Sequence, residues 1–232
     1  MSQEGFGFDA GEPDHDRLRE FDADFTPGPI VFQALVRLSG WRRPMTILDP
    51  SAGAGVFGQQ CRLIWPDAKI WGVEPRQEER NHLMRHYDFI LIQKFQPLEV
   101  FGSPDLIITN PPFPLFPGFI EAAHTLQPRT NEGRPKGLVL LGLSTWGQSA
   151  EGVELFERFT PYMQLRIGGR IGYRGPGLNP LTQKPWGVDQ RDYSWWVWDT
   201  SGPPTDHWMT FQLPVLSVAD RTWKVRPGTE DA

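Results

Sequence analysis

Apolar residues at Ile30, Val31, Ala34, Leu35 and Leu38 recur at intervals of three and four. This spacing predicts an amphipathic helix over residues 29–38, with Thr26 as its cap and Gly40 as its stop. Beyond it the pattern changes to short, continuous apolar runs separated by stretches of helical or polar character. The runs at 46–49, 68–74, 89–92, 105–109 and 137–143 read as buried strands. Residues 56–64, 77–86, 119–126 and 151–159 read as the helices between and after them, and 127–136 as a polar loop. Alternation of strand and helix implies a parallel, doubly wound α/β sheet. After 159 the alternation stops. Residues 163–167 predict a strand, 168–192 a long loop rich in Gly, Pro, Arg and Lys, 193–199 an aromatic strand and 207–213 a further strand. The first 20 residues are polar and acidic without a sustained period and are expected to form a tail.

Three strand ends carry the candidate chemistry. The strand at 46–49 ends in Asp49 and runs into Pro50-Ser51-Ala52-Gly53-Ala54-Gly55. Small residues between a buried strand and a helix let backbone N–H groups approach a ligand closely. The loop lacks the Lys-Ser/Thr pair of a phosphate-gripping P-loop. An acid before the glycines would repel phosphate, but it can hold a cationic amino-acid group. The next strand ends in Glu74, placed to bind both hydroxyls of a ribose; an exposed acid at a helix start is the plainer reading. The strand at 105–109 ends in Asn110-Pro111-Pro112-Phe113. The Asn110 side-chain oxygen and the Pro111 carbonyl can accept hydrogen bonds from an exocyclic NH2 and so localise its lone pair. Phe113 can stack on the base, while both prolines fix φ and Pro112 keeps Pro111 extended. That constellation suits methyl transfer to an amino group on a planar base. Taken alone, the same four residues also read as a turn after a strand.

Composition narrows the classes. The chain has 232 residues and 39% hydrophobic content, enough for one domain with a single core. A net charge of −5 argues against a protein that coats nucleic acid, though not against a local basic face. The single cysteine, Cys61, forms no intramolecular disulfide, and five scattered His show no ligand spacing, so no metal is expected. With no long apolar run and no leader pattern, the expectation is a soluble, cytoplasmic protein. Ten Trp crowd toward the C-terminal half, and core packing is the preferred role for those at 195–198.

Together these stretches resemble the class I S-adenosylmethionine-dependent DNA methyltransferases that act on the N6 amino group of adenine. The likeness covers about residues 21–211. Phe25-Thr26-Pro27 looks like the family's N-terminal cofactor motif. Asp49-Pro50-Ser51-Ala52-Gly53-Ala54-Gly55 is similar to its glycine-rich cofactor loop, and Glu74, followed by Pro75, matches its ribose-binding acid. Asn110-Pro111-Pro112-Phe113 matches its catalytic tetrapeptide. Where the family often has Asp against the cofactor's adenine, this chain has Gln93-Lys94-Phe95, which nominates Phe95 for packing there. Arg170-Ile171-Gly172-Tyr173 resembles the late loop whose aromatic sandwiches a flipped base, which nominates Tyr173.

The resemblance implies a Rossmann-like fold: a mostly parallel seven-stranded sheet with one antiparallel strand and helices on both faces. The implied organisation is a tail at 1–20, a methyltransferase domain at 21–218 containing a DNA and target-base loop at 168–192, and a tail at 219–232. The implied activity is an adenine-specific DNA methyltransferase using S-adenosylmethionine, with DNA as partner and either a second copy or a separate subunit supplying specificity. Arg166, Arg170, Arg174, Lys184 and Arg191 would line a phosphate path, or stand as ordinary solvated charge. The alternatives are cytosine-N4 methylation, methylation of RNA or of a protein glutamine, and a non-catalytic subunit.

Overall fold

A computed structural model of the chain describes residues 26–40, 43–95, 101–127, 136–172, 190–201 and 206–221. The first helix, α1 (Gly28–Ser39), buries Ile30, Val31, Ala34, Leu35 and Leu38, as the three-and-four spacing requires. Its cap is Pro27, without a side-chain bond, rather than Thr26; Gly40 ends it. The Thr26 hydroxyl is turned instead to the functional edge of the sheet.

The strands β1 (Thr46–Asp49), β2 (Lys69–Val73), β3 (Phe89–Leu91), β4 (Leu106–Thr109), β5 (Gly137–Leu143), β6 (Met163–Arg166), β7 (Tyr193–Asp199) and β8 (Met209–Gln212) form one sheet in the order β3-β2-β1-β4-β5-β7-β6-β8. All neighbours run parallel except those of β7, which is antiparallel to β5 and β6. The sheet therefore has the expected single antiparallel strand. It has eight strands rather than seven, because β8 adds itself in parallel to the free edge of β6. The order of connection reverses between the parallel neighbours β1 and β4, and the carboxyl ends of strands at such a switch point form the crevice where α/β sheets bind ligands.

Helices cover both faces. Alongside α1, α2 (Val56–Ile64) and the short α3 (Arg80–Leu83) bury residues on one face, with Ile47, Ile70, Ile108, Val139 and Leu141 from the strands. The other face packs α4 (Phe116–Leu126) and α5 (Ala150–Arg158) over Leu48, Val73, Ile107, Leu138 and Leu140. Successive strand residues point to opposite faces, so Trp195 joins the first core and Trp196 and Trp198 the second; all three are buried. Trp195, Trp196 and Trp198 are core residues, the role preferred for them from the sequence.

Two helices differ from the periodicity. The helix expected at 77–86 is a 3-10 turn (Gln77–Glu79) followed by the single turn of α3; the chain leaves it in turns over Met84, Arg85 and His86 and then buries Tyr87. The helix expected at 119–126 begins at Phe116, since Pro117 is tolerated in a first turn, where its missing N–H leaves no bond unmade. Among the described residues, no helix is long and apolar enough to cross a membrane.

Candidate active site at the carboxyl edge of the sheet

The loop after β1 is shaped by its backbone. Gly53 and Gly55 have positive φ, 54° and 83°. The left-handed backbone at Gly55 disfavours any side chain, and a Cβ there would also crowd Leu83 Cδ2 at 2.9 Å. The loop is tied to the end of β2 by Ala52 N–H, which donates to the Val73 carbonyl at 2.9 Å. α2 then starts at the αL residue Gly55.

Asp49 is buried beneath this loop, 1% exposed. Its Oδ2 accepts a 2.6 Å bond from the Tyr87 hydroxyl, and its Oδ1 a 3.3 Å bond from Ser51 N–H. Burial pushes its carboxyl up to about 7, against the lowering effect of these donors. The same burial, with Asp49 alongside, raises the Tyr87 hydroxyl well above the usual tyrosine range. Tyr87 also accepts from Gly58 N–H at 3.0 Å. Its ring fits because α2 and β2 present glycines to it: a Cβ at Gly58 would lie 2.4 Å from the ring and one at Gly72 2.8 Å. Tyr87 was not among the residues expected at this site. The signal available was a pair of glycines inside a helix and a strand, which marks a close approach by something large.

Glu74, just past β2, is 3% exposed. Gly53 N–H donates to its Oε2 at 2.8 Å, while Arg76 N–H and Nε donate to its Oε1 at 3.1 and 2.6 Å. The carboxylate is thus joined directly to the glycine loop. Pro75 beside it is exposed.

Across the reversal point, Asn110 follows β4. Its Nδ2 donates to Thr26 Oγ1 at 3.1 Å, and its buried Oδ1 has no hydrogen-bond partner. Unpaired buried carbonyl oxygens are costly, which marks this one for a ligand donor. Pro111 is buried and Pro112 exposed. Phe113 opens a 3-10 turn, Phe113–Leu115, and is half-buried. Its ring stacks on Tyr193, the first residue of β7, at 5.5 Å between centroids and 28° between planes. The Arg191 guanidinium carbon lies 5.2 Å from the Phe113 ring centre and 5.9 Å from that of Tyr193. Tyr193 was not foreseen at this site, because nothing local to β7 says which strand end it will face.

The structure therefore brings Thr26, Asp49, Ser51, Gly53, Glu74, Asn110 and Phe113 to one edge, with Arg191, two residues before β7, over the Phe113 ring. Phe95, four residues past β3, has its ring buried near Phe119 and Phe101, at 5.3 and 6.2 Å between centroids. Arg170 is exposed and bonds Gln190, which ties the two described stems of the 168–192 stretch together; Arg221 donates to the Arg170 carbonyl and accepts from Gly172 N–H. Arg166 is exposed at the end of β6. Phe25, Tyr173, Arg174 and Lys184 lie outside the described residues.

No protein-family model matches the chain. A 94-residue segment is 35% identical to the type II methyltransferase M.CvrRI of Paramecium bursaria Chlorella virus XZ-6E, covering 38% of this chain and 24% of that protein. The chain thus matches about a quarter of the length of that relative. Among solved structures, the fold is similar to a putative RNA methyltransferase of Pyrococcus horikoshii, with a TM-score of 0.52 and 16% identity over 75% of this chain and 84% of the other. It is also similar to a predicted O-methyltransferase of Agrobacterium tumefaciens, with a TM-score of 0.50 and 16% identity over 85% and 98%. The fold is that of the class I methyltransferases.

Proposed function

We propose that the protein transfers a methyl group from S-adenosylmethionine to the N6 amino group of adenine in DNA. The observation that carries this reading is the unpartnered, buried Asn110 Oδ1 at the end of β4, beside a half-buried aromatic. An exocyclic NH2 is a donor that such an oxygen lacks. The M.CvrRI relative is named a type II methyltransferase, which agrees with a nucleic-acid base as the acceptor.

The residues at the ends of β1 and β2 fit the cofactor by their chemistry. Asp49 is a buried carboxyl bonded to neutral donors, which a ligand ammonium would complement. Glu74 is a buried carboxylate fixed to the glycine loop, suited to a diol. Bound there, S-adenosylmethionine would supply an electrophilic methyl carbon on a sulfonium, with a neutral thioether as the leaving group when its carbon–sulfur bond gives way to the substrate nitrogen.

The chain's own residues act on the acceptor. The adenine is turned out of the helix to reach this edge and stacks on Phe113. Asn110 Oδ1 and the Pro111 carbonyl accept the two amino hydrogens and draw the nitrogen lone pair out of the ring. Thr26 holds the Asn110 amide by its nitrogen, which leaves the oxygen for the substrate. Once the nitrogen has bonded to carbon it is cationic and releases its proton to water, so no side chain need act as base. Positioning and electrostatic polarisation provide the acceleration.

The test compares wild type with Asn110→Ala, using labelled S-adenosylmethionine and DNA, RNA and protein acceptors. The expected result is label in DNA for wild type, a loss of roughly 10²–10³-fold in rate for the variant, and cofactor affinity unchanged within about twofold. A variant that folds and transfers normally would contradict the role given to Asn110. Label confined to RNA or protein would overturn the substrate.

A further inference from the structure

An ionised carboxylate offers about four acceptor positions, two on each oxygen. On Glu74 three are taken: Oε2 receives Gly53 N–H, and Oε1 receives both Arg76 N–H and Arg76 Nε. A vicinal diol that donates both its hydrogens needs two. One existing bond must therefore break when a ribose binds. Two of the three come from backbone, held by the left-handed turn at Gly53 and by the chain leaving β2. The third comes from a long side chain, 33% exposed against 4% for that of Glu74. The same guanidinium reaches over the glycine loop: a Cβ at Gly53 would lie 3.8 Å from Arg76 Nη2. It thus spans the crevice between the loop and the end of β2.

We propose that Arg76 is an intramolecular occupant of the ribose-binding carboxylate, its guanidinium holding Glu74 in the place of a diol and turning out toward solvent when a nucleoside's two hydroxyls bind. This rests on the assignment of Glu74 as the ribose acid. It makes Arg76 a residue that sets cofactor affinity by competition rather than by contact. In the free protein the pair keeps a buried carboxylate compensated, since an unpaired buried charge is costly. In the bound protein the diol takes over that role.

The test is calorimetric binding of S-adenosylhomocysteine to wild type, Arg76→Ala, Glu74→Gln and the double variant, with thermal melting to verify folding. The expected result is that Arg76→Ala binds roughly three- to tenfold more tightly than wild type, the size set by loss of a partly exposed ion pair. That gain should vanish when Glu74 is already Gln, the mark of two residues acting through one contact. Unchanged or weaker binding by a folded Arg76→Ala, with wild type still dependent on Glu74, would overturn the competition and leave the cofactor assignment standing. Failure of wild type to bind, or equal binding by Glu74→Gln, would overturn the cofactor assignment and the competition with it.

Discussion

Asp49 holds its place through opposed forces. Burial disfavours its charge, while Tyr87 and Ser51 donate to the charged form; burial prevails and the carboxyl rests at about 7. A cationic ligand group beside it favours ionisation, so the bound state holds fewer protons than the free state. Affinity must then rise as pH rises toward 7 and flatten above it, by up to about tenfold per unit on the rising limb. Titration of cofactor binding between about pH 5.5 and 7.5 checks this, with Asp49→Asn expected to weaken binding and flatten the profile. Tyr87→Phe removes a donor to the carboxylate and should move the rise to higher pH. A wild-type affinity independent of pH would contradict the assignment of Asp49 to the ligand's ammonium. Asp49, Glu74 and Asn110 were legible in the sequence because each ends a short apolar run, and a strand end is a local signal. Tyr87 was not, since its partner Asp49 is 38 positions away and its space is set by Gly58 and Gly72. Only the reading of Thr26 as a helix cap failed, for a similar reason: as a local cap it would satisfy α1, but the fold brings Asn110 to it from 84 positions along the chain.

β7 shows how an element can serve core and site together. Its inner residues are buried on both sheet faces, and its first, Tyr193, stacks on Phe113. The corner that carries Tyr193 is fixed from several sides. Ser144 N–H donates to the Asp192 carbonyl and Ile167 N–H to the Tyr193 carbonyl, while the Ser144 and Ser194 hydroxyls meet at 2.7 Å. Phe113, in a short 3-10 turn, therefore leans on a rigid plate. Replacing Tyr193 by Leu removes an aromatic contact of about 0.5–1.5 kcal/mol. The expected result is a KM for DNA raised roughly two- to tenfold, with cofactor affinity kept and Tyr193→Phe close to wild type; steady-state kinetics and melting of both variants check it. An unchanged KM in folded Tyr193→Leu would mean that Phe113 needs no backing. The aromatic run of β7 made its core role readable. Its meeting with Phe113 was not, because that depends on β7 running antiparallel to β5, which pairs Leu143 with Tyr193. The eighth strand was visible as an apolar run at 207–213, but its docking on β6 follows from tertiary pairing that no local pattern encodes.

For the whole molecule, strand–helix alternation was enough to give the class, because a parallel sheet needs a crossover for each strand and the sequence displays them in turn. Charge sets the conditions under which the protein should act. With a net charge of −5, attraction to DNA must come from a local group of cations, proposed at Arg166, Arg170, Arg174, Lys184 and Arg191. Five phosphate contacts would give a slope of about −4 to −5 in log affinity against log salt, measurable by titration over a range of ionic strength. A slope near zero would remove these residues from any phosphate path. The acceptor atom is identified by incubating the purified protein with labelled S-adenosylmethionine and mixed-sequence DNA at low salt, digesting the DNA and identifying the labelled nucleoside. The expected product is N6-methyladenine. Label in N4-methylcytosine, or none in DNA while the cofactor binds, would contradict it.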